Sequence, residues 1–462
     1  MASVSEHVVE ARILPVILGN LGSFQDAQSL ETWELPADTK DLGPLQEAAK
    51  ALREGDTPVG FPTETVYGLG ADATRSDAVK GIYKAKGRPS DNPLIIHVCD
   101  LSMLRGLLAR DNDRDEAGEV ADPVPTIYKP LIEQFWPGPL TILLPNPTPS
   151  RLAPEVTAGL PTFGARMPDS PLALSLIQLS GVPLAAPSAN ASTKPSPTTA
   201  AHVWHDLHGK IDMVLDGGPC LVGVESTVVD GLCDPPVVLR PGGVSIDQIR
   251  KCEGWAGVVR GYKDASEIGT SAPRAPGMKY KHYSPKAQVV LYERSKGGGD
   301  FRTGIPQELH RIMDTVEEEM TSDDTCKQRV PGLARIGIVS TKHWKNWAGF
   351  DGALKPAVGS AESTSTRTIV KVYPEIPAAE IYEGPSEGPF EPGGPLVRIV
   401  GYVFEKALGG DKRDIAHGLF SALRELDQLD VDVIFVEGIE DEGDIAAAVM
   451  NRLRKAASRI EP

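Results

Sequence analysis

The chain has 462 residues, and its 47 lysines and arginines stand against 63 aspartates and glutamates, a formal net charge of −16. This balance argues against general attraction to nucleic acid or anionic membranes, although it still allows a local basic pocket. Hydrophobic residues make up 41% of the chain and charged residues 24%, as in folded proteins and unlike disordered ones. No apolar run reaches the roughly 18 residues needed to cross a bilayer, so we expect no membrane association.

The cysteines and the N-terminal segment predict the compartment. The five cysteines include no CxxC pair, which disfavours a zinc ribbon or a thioredoxin-type site. An odd number of cysteines without a secretory signal is typical of a reducing compartment. The first residues include Glu6 and Glu10 with only Arg12 as an early base, unlike mitochondrial or secretory leaders. We therefore expect a cytoplasmic protein.

Short helices and strands alternate from about residue 48 to residue 287. Residues 1–30 lack strong periodicity and are predicted to form an N-terminal extension. Leu45, Ala49 and Leu52 then share one face of a predicted helix that ends at Gly55. Short apolar segments predict strands at 58–61, 93–98, 140–144, 183–186 and 237–239. Strands alternating with helices indicate an α/β domain, which we place at residues 31–261.

Polar residues mark where several helices are expected to begin. Ser76 precedes a pattern of apolar residues at helical spacing and is a candidate N-cap. Ser170 stands before Pro171, the combination favoured at the first helical position. Ser245 and Gln248 have the spacing of a capping box.

A second α/β unit is predicted at residues 286–462, after a proline- and glycine-containing linker at 262–285. Its strands are predicted at 288–292, 335–340, 396–401 and 433–437, and its helices at 415–426 and 444–457. Segments rich in glycine, serine, threonine or proline predict flexible insertions at 296–300, 360–368 and 384–394.

A turn rich in hydroxyls and glycines follows the first of the predicted strands. It lies in the segment 61–70 (FPTETVYGLG), where Thr63 and Thr65 can present hydroxyls and backbone amides to a small polar ligand. An ordinary loop with threonines as local caps explains the same pattern equally well.

Lys86 and Arg88 flank a glycine at the end of the predicted helix that follows Ser76. The arginine fork suits phosphate oxygens, and lysine supplies a mobile point charge, so the pair predicts a phosphate site. Cations at this end of a helix are, however, more often simply favourable for the helix dipole. His97, on the next predicted strand, is by itself more typical of a satisfied strand histidine than of a ligand-binding group.

Three further polar segments follow apolar strands, where α/β folds place ligands. They are 187–190 (PSAN) with Ser196, 225–228 (ESTV) and 239–243 (LRPGG). The chain contains no GxxxxGK[ST], no GxGxxG after a strand, no GxSxG and no HExxH. A Walker-type loop is thus excluded and no covalent nucleophile is evident, which indicates a site that works by positioning and charge neutralisation.

Together these segments closely resemble the Sua5/YrdC/YwlC family of threonylcarbamoyl-adenylate synthases. The matching segments follow the family's order over about 180 residues: 62–70 (PTETVYGLG), 86–88 (KGR), 92–94 (NPL), His97, 137–141 (PGPLT), 166–168 (RMP), 187–190 (PSAN), 225–227 (EST) and 239–242 (LRPG). Three later segments, 276–285 (PGMKYKHYSP), 418–427 (GLFSALRELD) and 451–456 (NRLRKA), are similar to the linker and C-terminal domain of the long Sua5 form.

The resemblance implies a twisted mixed sheet of the YrdC type with an open concave site, followed by a smaller Rossmann-like α/β domain. It also implies that L-threonine, bicarbonate or CO₂, and ATP give L-threonylcarbamoyladenylate and diphosphate. The product would feed the tRNA threonylcarbamoyl transferase machinery, which forms t6A at adenosine 37 of tRNAs that read ANN codons. ATP would enter with Mg²⁺, without a metal site of the protein's own or a tightly bound organic cofactor.

The resemblance also assigns roles to residues at matching positions. It implies that Lys86 and Arg88 are catalytic. An L-threonine pocket would be lined by Thr65, His97, Thr141, Ala186 and Ser226. ATP would be held by Lys86, Arg88, Asn92, Pro137, Ser188, Asn190, Ser196 and Arg240. A lid over the site would include Lys279, His282 and Tyr283.

Three alternatives stay open. One is a YrdC-like protein that binds nucleic acid without making an adenylate, which the net charge of −16 and the lack of an aromatic stacking platform disfavour. The second is the carbamoyl transferase of hydrogenase maturation, which needs paired CxxC zinc fingers that this chain lacks. The third is a scaffold with a decayed site, which the presence of the predicted cations and polar residues disfavours. Stable direct binding to nucleic acid is not expected.

Overall fold

The structure, a computed structural model, describes residues 10–109, 121–262, 283–293, 334–344, 354–356, 365–373, 396–441 and 445–461. The chain divides into two compact units. The first contains residues 1–285 together with 412–424 and 440–456, and the second contains 286–411, 425–439 and 457–462. Two stretches from the C-terminal part of the sequence are therefore integrated into the first unit. Among the described residues, no helix combines the length and the apolar character needed to cross a membrane.

The first unit is built on an eleven-stranded sheet. Its strands are β1 (Arg12–Pro15), β4 (Val59–Pro62), β5 (Tyr67–Asp72), β6 (Ile95–His97), β7 (Leu140–Pro145), β8 (Thr162–Arg166), β9 (Leu184–Ala185), β10 (Met213–Asp216), β11 (Thr227–Asp230), β12 (Val237–Arg240) and β13 (Val259–Arg260), while β2 (Ser23–Phe24) and β3 (Trp33–Glu34) form a separate pair. The strand order is β1-β10-β4-β5-β9-β6-β8-β7-β11-β12-β13. The sheet contains both parallel pairs, such as β6 with β8, and antiparallel pairs, such as β4 with β5. The predicted mixed α/β sheet is confirmed.

Eight helices, all within the described residues, connect these strands. They are α1 (Gly43–Glu54), α2 (Ser76–Lys86), α3 (Leu101–Leu108), α4 (Lys129–Phe135), α5 (Pro154–Thr157), α6 (Pro171–Ser180), α7 (Ala200–Leu207) and α8 (Ile246–Ile249). The predicted face of α1 is buried, and the helix ends at Gly55, whose extended backbone donates its N–H to the Ala51 carbonyl at 2.8 Å. Apolar burial of this kind supplies most of the driving force for folding.

Two of the predicted helix starts are confirmed and one is wrong. The Ser170 hydroxyl accepts the Ala173 N–H, and Ser245 forms the predicted capping box with its partner. At α2, by contrast, the N-cap residue is Arg75, and Ser76 lies inside the helix. The Ser76 hydroxyl instead donates to Glu155 Oε1 at 2.6 Å, so a tertiary contact replaces the expected cap.

The predicted N-terminal extension contributes a strand to the sheet. Strand β1 pairs in parallel with β10 along its whole length, from Arg12 opposite Met213 to Pro15 opposite Asp216. Four residues are too few to show a periodic pattern, which is why the sequence did not predict this strand.

The second unit contains a seven-stranded sheet. Its strands are β14 (Gln288–Tyr292), β15 (Ala334–Ser340), β16 (Leu354–Pro356), β17 (Ser365–Tyr373), β18 (Leu396–Ala407), β19 (Val433–Glu437) and β20 (Arg459–Glu461), in the order β16-β17-β18-β15-β19-β14-β20. The five strands from β18 to β20 in this order are parallel, and β16 and β17 add antiparallel pairs at one edge. The predicted second α/β domain is confirmed.

The last two helices are α9 (Lys412–Gln428) and α10 (Ala446–Ala456). Both occur where the sequence predicted them. The prediction of a flexible insertion at 360–368 is wrong at its end, because β17 begins at Ser365 and runs on through alternating β-branched residues. The other two predicted insertions, 296–300 and 384–394, lie outside the described residues.

Candidate active site

Strand ends and loops of the first unit surround a cavity of about 740 Å³, a volume that includes its opening to solvent. Its wall contains eleven of the residues predicted for the site: Thr65, Lys86, Arg88, His97, Ala186, Ser188, Asn190, Ser196, Ser226, Arg240 and Tyr283. Residues without a predicted role complete the wall: Thr63, Val66, Gly68, Ile95, Arg166, Pro187, Ser192 and Glu225. Motifs far apart in the sequence thus meet around one space.

Three predicted site residues do not reach this wall, and two lie outside the described residues. Thr141 lies behind Ser226, with 2.8 Å between the two hydroxyl oxygens. The Asn92 side chain is buried away from the cavity, and Pro137, which is half-buried, is likewise absent from the wall. Lys279 and His282 belong to a segment that the structure does not describe. Their roles stay predictions.

The turn between β4 and β5 holds two threonine hydroxyls in a defined chain of hydrogen bonds. Arg166 Nη1 donates to Thr65 Oγ1 at 2.9 Å. The Thr65 and Thr63 oxygens are 2.8 Å apart, and Thr63 Oγ1 in turn donates to the Val66 carbonyl at 2.8 Å. Each hydroxyl has one proton and therefore donates one hydrogen bond: Thr65 donates to Thr63, and Thr63 donates to the Val66 carbonyl. This series of hydrogen bonds fixes the orientation of both side chains.

Arg166, at the end of β8, forms a buried ion pair with Glu64. Both side chains are only 4% exposed. Burial raises the pKa of Glu64 despite the lowering effect of Arg166. Arg166 Nε has no hydrogen-bond partner among the described atoms, so this cavity residue keeps a buried donor available for an anion. Arg166 belongs to one of the motifs that match the family, but no role was predicted for it from the sequence.

His97, at the end of β6, faces the cavity as a neutral imidazole. Burial, with a smaller contribution from the Arg166 charge, lowers the pKa of His97 well below its usual value. Its Nδ1 is buried and has no hydrogen-bond partner within the described structure. One nitrogen of the ring is therefore available for a ligand.

The low pKa of His97 makes the protein's stability depend on pH in a predictable direction. Because the folded pKa lies below the unfolded value near 6.5, His97 contributes stability above that pH, and the contribution is lost as pH falls. Between pH 7.5 and 5.5, the wild type is expected to lose about 1.4 kcal/mol more unfolding free energy than a His97→Gln variant. Urea unfolding at the two pH values measures this, with exposed His208→Gln as control. Equal losses in wild type and His97→Gln would contradict it.

Lys86, the last residue of α2, is 3% exposed and holds the loop that follows β9. Its ammonium donates to the carbonyls of Ser188 and Asn190, and it lies 3.4 Å from Asn190 Oδ1. Burial, followed by repulsion from Arg88, lowers its pKa well below the usual value. Two of the three ammonium protons are therefore engaged by backbone, and one is left for the longer contact or for a ligand.

Arg88 is half-buried and is held by the loop that precedes β6. Its Nη2 donates to the Pro93 carbonyl at 3.0 Å, and its Nε donates to the Asn92 carbonyl at 3.4 Å. Burial lowers the pKa of Arg88 to about 10, so the guanidinium stays charged at neutral pH. Asn92 thus contacts Arg88 through its backbone, which explains its place in the motif without a side chain on the wall.

Arg240, at the end of β12, is fixed against Ser226. Its Nε donates to the Ser226 carbonyl and its Nη2 to the Ser226 hydroxyl, both at 3.0 Å. The backbone that follows Arg240 packs closely against the backbone of residues 225–227. This close packing depends on Gly242, because a Cβ there would lie 2.2 Å from the Thr227 nitrogen. Burial lowers the pKa of Arg240 to about 10, which still leaves it charged at neutral pH.

The wall of the cavity is strongly cationic in a chain that is acidic overall. Lys86, Arg88, Arg166 and Arg240 face it, and Glu225 is the carboxylate that accompanies them there. Low local dielectric strengthens the attraction of such a wall for phosphate and carboxylate groups. No three His, Cys, Asp or Glu side chains in the described ranges are grouped as a metal site would require. The arrangement suits a polyanionic nucleotide beside a small amino acid.

Two family models match consecutive parts of the chain. Residues 50–242 match Sua5_yciO_yrdC, described as "Telomere recombination", and residues 244–458 match Sua5_C, described as "Threonylcarbamoyl-AMP synthase, C-terminal domain". Together the two matches cover residues 50–458 except residue 243.

Whole-chain relatives agree with these matches. The threonylcarbamoyl-AMP synthase of Schizosaccharomyces pombe is 43% identical over 92% of this chain and 90% of its own. That of Bacillus subtilis is 40% identical over 89% of this chain and 92% of its own. The crystal structure of P. abyssi Sua5 complexed with L-threonine is 33% identical, covers 98% of this chain and 99% of its own, and has a TM-score of 0.65. The resemblance drawn from the motifs is confirmed, and the chain belongs to the Sua5 family of threonylcarbamoyl-AMP synthases.

Proposed function

We propose that this chain is a threonylcarbamoyl-AMP synthase, a nucleotidyltransferase that converts L-threonine, bicarbonate or CO₂, and ATP to L-threonylcarbamoyladenylate and diphosphate. The observation that carries the proposal is one cavity in which Lys86 and the guanidinium groups of three arginines meet the hydroxyls of Thr65, Ser188 and Ser226. Family membership supports the same activity, since the long relatives named above carry that name.

The Arg166 side of the cavity fits an amino acid. Arg166 has an unpartnered Nε–H that can donate to a carboxylate, and its Nη1 fixes the Thr65 hydroxyl. His97 is neutral, so it adds no positive charge that would oppose an incoming amine. We place L-threonine here, with its carboxylate on Arg166 and its hydroxyl and amine toward Thr65, His97 and Ser226. The P. abyssi relative of known structure was crystallised with L-threonine.

The chemistry then needs no enzyme nucleophile. The threonine nitrogen attacks the carbon of CO₂ and loses a proton, which gives a carbamate. A carbamate oxygen attacks the α-phosphorus of ATP, and the bond to the bridging oxygen breaks so that diphosphate leaves with its electrons. Arg88 and Arg240 face the cavity as preformed positive charges and offset the negative charge that develops on the phosphate. Proximity of the two bound substrates supplies a further large part of the rate.

ATP is expected to enter as its magnesium complex, as a substrate. The described residues offer no carboxylate cage, so the phosphates and water supply the ligands that Mg²⁺ prefers. Lys279, His282 and Tyr283 are proposed to cover the loaded site and keep water from the reactive product. Of these, Tyr283 is described, is 6% exposed and lines the cavity.

The product is proposed to be consumed by the tRNA threonylcarbamoyl transferase machinery in the cytoplasm, for t6A formation at adenosine 37. An acyl-adenylate is a mixed anhydride that water destroys, so a consumer must take it up soon after release. Stable binding of tRNA by this chain is not part of the proposal.

One incubation tests both the reaction class and the substrate. The purified chain is mixed with ATP, Mg²⁺, ¹⁴C-bicarbonate and each amino acid in turn, and the acyl-adenylate and diphosphate are separated. Label is expected in the adenylate with threonine, with one diphosphate released for each label incorporated. Diphosphate release without incorporated carbon, or equal labelling with every amino acid, would contradict the proposal.

A further inference from the structure

Helix α10 brings a buried arginine to the back of the cavity wall. The Arg452 side chain is 1% exposed, and its Nε donates to Glu225 Oε2 at 3.0 Å. Its Nη1 donates to the carbonyl of Pro241. Arg452 and both partners belong to the first compact unit, although their positions differ by more than two hundred residues. A single guanidinium thus binds the residue before Ser226 and the residue after Arg240.

Glu225 connects Arg452 to the cavity, because it accepts hydrogen bonds from both Arg452 and Ser196. Its Oε1 accepts the hydroxyl proton of Ser196, a wall residue predicted to contact ATP. Burial alone would raise the pKa of Glu225, but the charges of Arg452 and then Arg240 hold it below its usual value. Among the described residues, Tyr283, whose side chain is hydrogen-bonded to Glu225, and Lys86 also act on this carboxylate. Glu225 is therefore a charged acceptor, and Arg452 is one of the two arginines that stabilise its charge.

Helix α9 holds the adjoining loop in a similar way. Arg424 donates to the carbonyl of Pro195 and to Asp206 Oδ2, the latter at 2.8 Å. Gly223 makes the close approach of this helix possible, since a Cβ there would lie 2.5 Å from the Ala416 carbonyl oxygen. The segment that carries Ser196 is thus fixed from both sides, by Arg424 next to it and by Glu225 across from it.

We infer that Arg452 is a positioning residue for the nucleotide: it holds Glu225 and the Pro241 carbonyl so that Ser196 and Arg240 present their donors to ATP. The inference rests on the proposed function. It predicts a larger effect on ATP binding than on threonine binding. Of the groups proposed to bind threonine, Arg166, His97 and Thr65 make no hydrogen bond with Arg452 within the described structure, and Ser226 is linked to it only indirectly, through Arg240.

The test compares Arg452→Gln and Arg452→Lys with a matched control on the same helix, Arg454→Gln, whose ion pair with Asp441 lies outside the cavity wall. Arg452→Gln is expected to weaken ATP binding on the order of 10-fold, measured by calorimetry without turnover, and to change the threonine KM less than twofold. Arg452→Lys keeps the charge but loses the second hydrogen bond, so it should recover part of the affinity. Arg454→Gln should bind ATP as the wild type does.

A pH profile separates positioning from general loss of stability. Without Arg452, the pKa of Glu225 rises, and on protonation the carboxyl turns from acceptor to donor toward Ser196. ATP affinity of Arg452→Gln should therefore fall more steeply than that of the wild type as pH drops from 8 to 6, because the titration of ATP itself affects both proteins equally. An unchanged ATP affinity and a pH profile parallel to that of the wild type in a folded Arg452→Gln variant would overturn the inference.

A second variant covers the case in which Arg452→Gln does not fold. Arg452→Met combined with Glu225→Gln removes both buried charges, which restores folding where an unpaired carboxylate was the cause. This double variant is expected to bind ATP at least 10-fold more weakly than the wild type, and wild-type affinity would overturn the inference. Failure of the wild type itself to bind ATP would instead contradict the proposed function.

Discussion

Replacing Arg240 by alanine is expected to lower the rate of adenylate formation by roughly 10²- to 10³-fold, the loss typical of one preorganised charge stabiliser. The guanidinium is held by two hydrogen bonds to Ser226 and cannot move away from the cavity, so its charge is in place before the phosphate develops more charge. Arg88→Ala is expected to have an effect of the same size. Release of labelled diphosphate under saturating threonine measures both.

The exposed Arg260 on the neighbouring strand β13 provides a control for Arg240. Arg260→Ala removes an arginine from the adjacent strand without touching the cavity, and its rate should stay within about twofold of wild type. Near-wild-type diphosphate release by Arg240→Ala would contradict the phosphate role. A fall in the rate of Arg260→Ala equal to that of Arg240→Ala would point to general damage to the sheet.

Replacing Arg166 by methionine is expected to affect both stability and threonine binding. The substitution leaves the Glu64 carboxylate buried without its counter-ion, which costs about 3–5 kcal/mol of unfolding free energy for a buried pair. It also removes the free Nε–H proposed to bind the threonine carboxylate, a charged hydrogen bond whose loss weakens affinity on the order of 100-fold. Urea unfolding and threonine calorimetry measure the two effects separately.

Adding Glu64→Gln to Arg166→Met separates the two roles. The double variant no longer buries an unpaired charge, so most of the lost stability should return. Threonine affinity should stay low, because the donor to the carboxylate is still missing. Recovery of threonine affinity together with stability would show that Arg166 serves Glu64 and not the substrate.

Elements with strong local signals were predictable. The end of α1 at Gly55 and the capping box at Ser245 depend on residues close in sequence, and both are present in the structure. The start of α2 was predicted wrongly because Ser76 bonds to Glu155, 79 positions away. Strand β1 is too short to show a periodic pattern. Strand β17 was missed because the serine- and threonine-rich composition of its region favoured a flexible insertion over a strand.

The candidate site was predictable where its residues lie in short motifs at strand ends. Lys86, Arg88, Ser188 and Arg240 come from such motifs, and the fold brings them to one wall. No role was predicted for Arg166, because a single cation at the end of an apolar strand has no distinctive spacing from other polar residues. Arg452 is 227 positions from Glu225, and no local pattern links a C-terminal helix to a carboxylate so far away.

The chain leaves and re-enters its first unit, changing between units after residues 285, 411, 424, 439 and 456. A ribosome that has made only the N-terminal 285 residues has therefore not yet made everything this unit contains, and its packing is completed only after residue 456 has been translated. Until α10 is translated, Glu225 lacks the guanidinium of Arg452 as an ion-pair partner. A chain that terminates before α10 lacks Arg452, and with it one of the two arginine side chains that act on Glu225.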